Sequence, residues 1–391
     1  MCAYDFDEMI DRRGSNCFKW DMASKIFNHG DLLPMWVADM EFASPAAVRD
    51  AITSRAAHPV YGYGARPDSY FQSYIDWAEK RYDFGVKKEW LLFSPGIVPA
   101  LSIAVIAYTA PGDGVMIQPP VYPPFAGVIR DNGRRVVENE LAYKNGRYEI
   151  DFDDFEKKAK GGVKLFLLCS PHNPVGRAWK REELERMASI CYKNGITIVS
   201  DEIHADIVYG GYKHICTASL SEKIREITVT LQSPSKTFNI TGLSISTAVI
   251  SNEDLRRALK SHIERFHIEL TNIFGIVAFE AAYRHGESWL VDLLKYLEAN
   301  RDMATGFISR ELPRIKPINP EATFLMWLDF TGYKLPQKEL VETIIKKGNL
   351  GLNDGVTFGA GGEGFMRLNF ACPKKMLEDG LMRLKTAFHR V

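Results

Sequence analysis

The residues able to do chemistry follow short apolar runs. In "LQSPSKTFNITGL" (231–243) Lys236 stands just past such a run, beside Ser233, Pro234 and Ser235. A lysine there is ordinarily a solvated surface charge. Its other use is covalent, because an amine condenses with an aldehyde, and neighbouring hydroxyls suit a phosphate. "ITIVSDEIHADIVY" puts Asp201 at the end of another run, with Glu202, His204 and Asp206 close behind. One reading is a metal cluster serving a metal-dependent hydrolase. Against it, Asp201 and Glu202 in an extended segment point to opposite faces. His262 and His267 miss the i,i+4 spacing of helical ligands, and no second cluster has ligand spacing. In "LLCSPHNPVGRAW" Asn173 precedes Pro174, a turn signal whose amide can also bond a ligand oxygen, while His172 reads as a turn residue. In "QPPVYPPFAG" prolines stiffen the chain around Tyr122, whose ring can stack on a flat ligand or fill the core. In "FSPGIVPAL" a Pro-Gly turn leads into an apolar helix near Ile97. The free amides of Gly96, Ile97 and Val98 either hold a phosphate or make an ordinary loop-to-helix junction.

The elements that must position these groups alternate. Residues 115–118, 163–169, 196–200, 227–231 and 246–250 are nearly all apolar, as strands covered on both faces are. Between two of them "REELERMASICYKNG" carries Leu184, Met187, Ala188 and Cys191 on one helical face, with Gly195 at the C′ position. Strands alternating with helices predict an α/β fold with a mostly parallel sheet. Ligands then bind outside the carboxyl ends of the strands, where the polar segments lie. Amphipathic helices near 253–267 and 287–312, then "EATFLMWLDF" and a Gly-rich segment, predict a smaller α+β domain. The expected division is a large domain over 46–284 and a discontinuous small one from 1–45 and 285–391.

The chain has 391 residues, with Lys+Arg 49 against Asp+Glu 49. Such a balance draws it neither to nucleic acid nor to an anionic membrane. No apolar run approaches the about 20 residues of a membrane span. Six scattered cysteines without a C-x-x-C pair fit a reducing compartment, and the charged start "MCAYDFDEMIDRRGSN" lacks a signal-peptide core. A cytoplasmic location is the expectation.

One cofactor asks for all the polar segments at once. Pyridoxal 5′-phosphate (PLP) needs a phosphate cradle, a ring stack, a partner for its phenolic oxygen, a carboxylate at its pyridine nitrogen and a lysine for its aldehyde. The segments "PMWVADMEF", "HPVYGYG", "SPGIVPAL", "PVYPPF", "CSPHNPVGR", "SDEIHADIV", "SPSKTFNITGL" and "MRLNFACP" run in order from residue 34 to 373. In these the chain resembles fold-type I PLP enzymes of the aminotransferase class I/II superfamily. It is most similar to the MalY/PatB branch of cystathionine β-lyases (C–S lyases).

The resemblance implies that Lys236 joins the cofactor aldehyde, Asp201 pairs with the pyridine nitrogen, Asn173 bonds the phenolic oxygen and Tyr122 stacks on the ring. It puts Gly96, Ile97, Val98, Ser233 and Ser235 around the phosphate. Arg367 then binds the α-carboxylate of an amino-acid substrate, and Trp36 and Tyr61 are candidates for the pocket wall. Tyr61 would reach the cofactor from a second subunit, so a homodimer is implied. His204 stands where many relatives have a tyrosine. Many aminotransferases carry a phosphate-binding arginine eight residues after the lysine, and Ser244 occupies that position. Losing a charge-assisted hydrogen bond costs roughly 1.5–3 kcal/mol, which other donors must offset. The branch commonly lacks this arginine. A carboxylate about 4 Å from a pyridinium gains roughly 4 kcal/mol at an effective dielectric near 20, enough to keep the ring nitrogen protonated. The implied function is β-elimination from cystathionine or cysteine-type substrates to thiol, pyruvate and ammonia. Transamination of an L-amino acid uses the same residues and is the alternative.

Overall fold

The computed structural model describes residues 4–270 and 272–389. Its centre is a seven-stranded sheet. Across the sheet the strands run Leu91–Ser94, Ser246–Val249, Thr228–Gln232, Thr197–Asp201, Val163–Cys169, Gly114–Ile117 and Arg135–Glu138. All are parallel except Ser246–Val249, which is antiparallel to both its neighbours. The strands predicted at 115–118, 163–169, 196–200, 227–231 and 246–250 lie within a residue of these bounds. Leu91–Ser94 and Arg135–Glu138 were not foreseen. The latter is an edge strand whose residues are exposed or half-buried, so it lacks the continuous apolar run that marks a covered strand.

Helices cover both faces, which is why the central strands read as unbroken hydrophobic runs: Leu165, Val199, Val229 and Leu231 are all buried. The Arg181–Lys193 helix turns Leu184, Met187, Ala188 and Cys191 inward, and Gly195 follows its end at φ +64°, the left-handed geometry that favours glycine.

A second, four-stranded antiparallel sheet runs Lys316–Ile318, Leu325–Asp329, Phe365–Asn369 and Asn353–Asp354. It packs with the long Glu287–Glu311 and Lys374–Phe388 helices. The N-terminal residues join this part of the molecule, since Leu33–Pro34 pairs in parallel with Leu350–Gly351. From there residues 36–42 form an irregular, bent strap held by two asparagines. Asn369 Nδ2 donates to the carbonyls of Val37 and Asp39, both at 2.6 Å, and Asn239 Nδ2 to those of Met40 and Phe42 at 3.0 and 2.8 Å. Arg12 and Lys19 add ion pairs to Asp39 and Glu41. No helix of the described residues is long and apolar enough to cross a membrane.

Candidate active site

Strand register brings the polar segments together. Cys169 lies opposite Asp201, and Asp201 opposite Leu231, so three parallel strands end side by side. The segments that leave them carry Asn173, His204 and Lys236. Ser94 ends its strand at the same edge, where the antiparallel Ser246–Val249 strand begins. That orientation brings Gly96 and Ile97, from one side, and Ser244 and Ile245, from the other, to the same place.

The result is a cavity of about 350 Å³ lined by Lys236, Asp201, Asn173, Tyr122, His204 and Ser235, with Gly96, Ile97 and Val98 at the start of the Ile97–Tyr108 helix. Thr241, Ser244, Ile203, Cys169 and Ala38 also face it, and sequence reasoning assigned none of these a role. Ala38 lies inside the quoted "PMWVADMEF", but only the folded chain reveals its use: Lys236 Nζ donates to the Ala38 carbonyl at 2.5 Å. Ser233, expected at the phosphate, stands one step back, its hydroxyl 2.9 Å from the Ser235 hydroxyl. It is not among the cavity-lining residues, because its hydroxyl donates to Ile245 O at 2.6 Å and accepts from the Ser235 amide at 3.1 Å. That is the role of a helix N-cap.

The electrostatics follow from burial. It pulls the Lys236 amine down from 10.5 to about 8, against the opposing pull of Asp39. It pushes the Asp201 carboxyl up to about 7, although the Ile203 amide donates to Oδ1 at 3.1 Å. His204 is held down at about 3 by burial and is neutral at pH 7, with its Nδ1 buried and unpartnered. Burial also raises the Tyr122 hydroxyl.

Arg367 is buried and does not itself line the cavity; it meets the lining residue Asn173 from behind. It donates to Asn173 Oδ1 at 2.9 Å, Trp36 O at 3.0 Å and Asn353 Oδ1 at 2.6 Å, and its Nε has no partner. Burial lowers it to about 10, still a cation at pH 7. The Asn173 loop is braced from behind. Gly176 adopts φ +71°, and a Cβ there would stand 2.7 Å from Pro320. Its carbonyl accepts from the amides of Glu321 and Ala322 at 2.8 and 3.0 Å.

Trp36 and Tyr61 do not line the cavity. The Trp36 ring packs between Phe18 and Phe27 and donates Nε1 to Lys19 O at 3.1 Å. Tyr61 is 60% exposed, packs on Phe274 and donates to Ala56 O at 2.7 Å.

The "DEIHAD" residues diverge. Glu202 turns away from Asp201 and accepts from Ser200 Oγ at 2.9 Å, the Thr217 amide at 3.0 Å and Gln232 Nε2 at 3.1 Å, and pairs with His214 Nε2 at 2.9 Å. Asp206 points to Trp77 and Thr237. Among the described residues no group of three His, Cys, Asp or Glu side chains could hold a metal ion.

Three observations fit this cavity to PLP. Its floor holds a carboxyl that burial leaves in need of a cationic partner. Its wall holds a buried histidine nitrogen with nothing bonded to it. One end presents free helix-terminal amides beside the Ser235, Thr241 and Ser244 hydroxyls, a setting for a phosphate. Those hydroxyls stand where an arginine is absent.

Comparisons with known proteins agree. The family model described as aminotransferase class I and II matches residues 33–384. Cystathionine beta-lyase PatB of Bacillus subtilis (strain 168) is 44% identical over 384 residues, covering 98% of this chain and 99% of the relative. A PLP-bound chain from Clostridium difficile 630 superposes with a TM-score of 0.97 at 43% identity, covering 98% of this chain and 99% of that one. Cystalysin from Treponema denticola, which contains a pyridoxal 5′-phosphate cofactor, superposes at 0.95 with 35% identity and 99% coverage of both chains. With the family model spanning nearly the whole chain and the strand ends gathered as above, this protein belongs to the aminotransferase class I and II family and has its fold-type I architecture.

Proposed function

We propose that the protein is a PLP-dependent C–S β-lyase, releasing thiol, pyruvate and ammonia from cystathionine or cysteine-type amino acids. The observation that carries the lyase reading is the near full-length relationship, at 44% identity, to a protein named cystathionine beta-lyase. PLP, when bound, supplies the electron sink that lets the substrate's α-proton leave. The chain's own residues do the rest.

Lys236 is the amine that joins the cofactor. The same amine would act as the base for the substrate α-proton, and an amine near pKa 8 is matched to that task at neutral pH. Asp201 would keep the ring nitrogen protonated, Asn173 and His204 would serve the phenolic oxygen, and Tyr122 would cover a ring face. Ile97, Val98, Ser235, Thr241 and Ser244 would hold the phosphate. Arg367 takes the substrate α-carboxylate with its planar fork. It is already oriented by Asn173 and Asn353, so little entropy is lost on binding. The β-carbon's bond to sulfur breaks with both electrons going to the thiolate, and water converts the remainder to pyruvate and ammonia.

The working unit in this reading is a homodimer. Tyr61 and Tyr63 are 60% and 93% exposed on a stretch without regular structure, and Tyr61 would complete the partner copy's site. The reading also keeps the division into a domain over 46–284 and another from 1–45 and 285–391. Transamination remains the second reading, because the matching family model is that of the aminotransferases. Incubating the PLP-loaded protein with cystathionine separates the two. Thiol and pyruvate without an added oxo acid support the lyase, and amino transfer without thiol release overturns it.

A further inference from the structure

Lys236 rides on a helix only four residues long, Pro234–Thr237. So short a helix has no stability of its own, because nucleation is unfavourable. Its neighbours must hold it. On the N-terminal side Ser233 is the cap. On the other side Thr237, buried, donates Oγ1 to Asp206 Oδ2 at 2.9 Å. Phe238, the next residue, is buried against Trp77 and Trp289.

Asp206 is itself buried. Its Oδ1 accepts from Trp77 Nε1 at 3.2 Å and lies 3.5 Å from Arg81 Nε. Both partners come from the Asp68–Tyr82 helix. A buried carboxylate is costly unless paired and hydrogen-bonded, and this one is used to join three elements. These are the outer helix, the segment leaving Asp201 and the turn bearing Lys236. Asp206 follows Asp201 by five residues, so one short segment places both the carboxyl on the cavity floor and the anchor of the lysine.

We propose that Asp206, acting through Thr237, is a positioning residue that sets the angle at which the one-turn helix presents the Lys236 amine to the cavity. A lysine Nζ lies about 6 Å from its own Cα, so rotating the turn by about 10° moves the amine by about 1 Å. A misplacement of that size costs about 100-fold in rate. The inference rests on the reading of Lys236 as the cofactor-joining amine.

The test uses the PLP-loaded full chain. Thr237→Val keeps the side-chain shape and removes the donor, while Thr237→Ser keeps the hydroxyl. Each is measured for kcat and KM on cystathionine, and for the visible circular dichroism of the bound cofactor relative to its absorbance. The expected result for T237V is retained cofactor, a kcat at least tenfold lower, KM within about twofold, and reduced dichroism. T237S is expected to restore both. Wild-type kcat and dichroism in T237V, or equal defects in T237V and T237S, would overturn the proposal. Should T237V not fold, Trp77→Phe removes the donor on the far side of Asp206. A loss of dichroism in W77F then supports the proposal and an unchanged signal refutes it. Absence of thiol release from the unaltered protein would refute the lyase reading instead, and the dichroism comparison would still report the placement of Lys236.

Discussion

Replacing Lys236 by methionine is expected to stabilise the protein without cofactor while abolishing its chemistry. The amine sits at about 8 instead of 10.5, chiefly because burial penalises its charge. At about 1.4 kcal/mol per pH unit, that is roughly 3 kcal/mol of stability forgone when the group is charged in both states. Lys236 lines the cavity and is only partly buried, so solvent screening offsets some of the penalty. Removing the ammonium also leaves the Ala38 carbonyl without its 2.5 Å donor, a loss of about 1 kcal/mol. A net gain of about 2 kcal/mol at pH 7 remains. The sign with pH follows from the order of the two values. Between about 8 and 10.5 the unfolded chain binds the proton and the folded chain does not, so wild-type stability rises with pH there. The advantage of Lys236→Met is therefore full below pH 8 and fades toward pH 10.5.

Urea unfolding of both apo-proteins at pH 7 and near pH 10.5 measures the difference, and groups common to the two cancel. In the PLP-loaded state the order reverses, because K236M cannot join the cofactor and loses its absorption band. A variant less stable than wild type at pH 7 without cofactor, or an advantage that does not change with pH, would refute the reasoning.

Arg367→Met should raise KM for the amino-acid substrate about 10- to 100-fold with the cofactor band intact, since it removes a charge-assisted fork worth roughly 1.5–3 kcal/mol. Steady-state kinetics beside an absorption spectrum checks this, and an unchanged KM would exclude Arg367 from carboxylate binding. Glu202→Gln should destabilise the fold by about 3–5 kcal/mol, because it breaks a buried pair with His214. Burial opposes the Glu202 charge, but His214 and the hydrogen bonds together hold its carboxyl low. That contribution is thus present above the ordinary carboxylate range and is lost as pH falls through the lowered value. Thermal melting from pH 7 down to 3 should show the wild-type advantage shrinking.

Much of this was legible locally. Covered strands announce themselves as continuous apolar runs, and turn residues after each run mark one sheet edge. That is how Lys236, Asp201, Asn173 and Tyr122 could be expected to meet from sequence alone, and the structure gathers them with His204 around one cavity. The fold class was readable for the same reason, because hydrophobic periodicity and turn chemistry depend on neighbouring residues. Arg135–Glu138 escaped because an edge strand, exposed along one side, carries no such run.

Tertiary structure decided what depends on distant partners. The strap over the cavity reaches Lys236 through Ala38, 198 positions away in sequence. No local pattern marks a backbone carbonyl for that use. Ser233 looked equivalent to Ser235 until the return of the antiparallel strand gave its hydroxyl the Ile245 carbonyl to bond. Glu202 and Asp206 looked like companions of Asp201 until His214 and Thr237 gave each of them a different buried partner. Residue types and their order determined which chemistry the chain could support and on which edge of the sheet. Which hydroxyl faces the cavity, which carboxylate braces the lysine and what holds the strap were fixed only by packing, because a hydrogen bond selects among like groups by position in space.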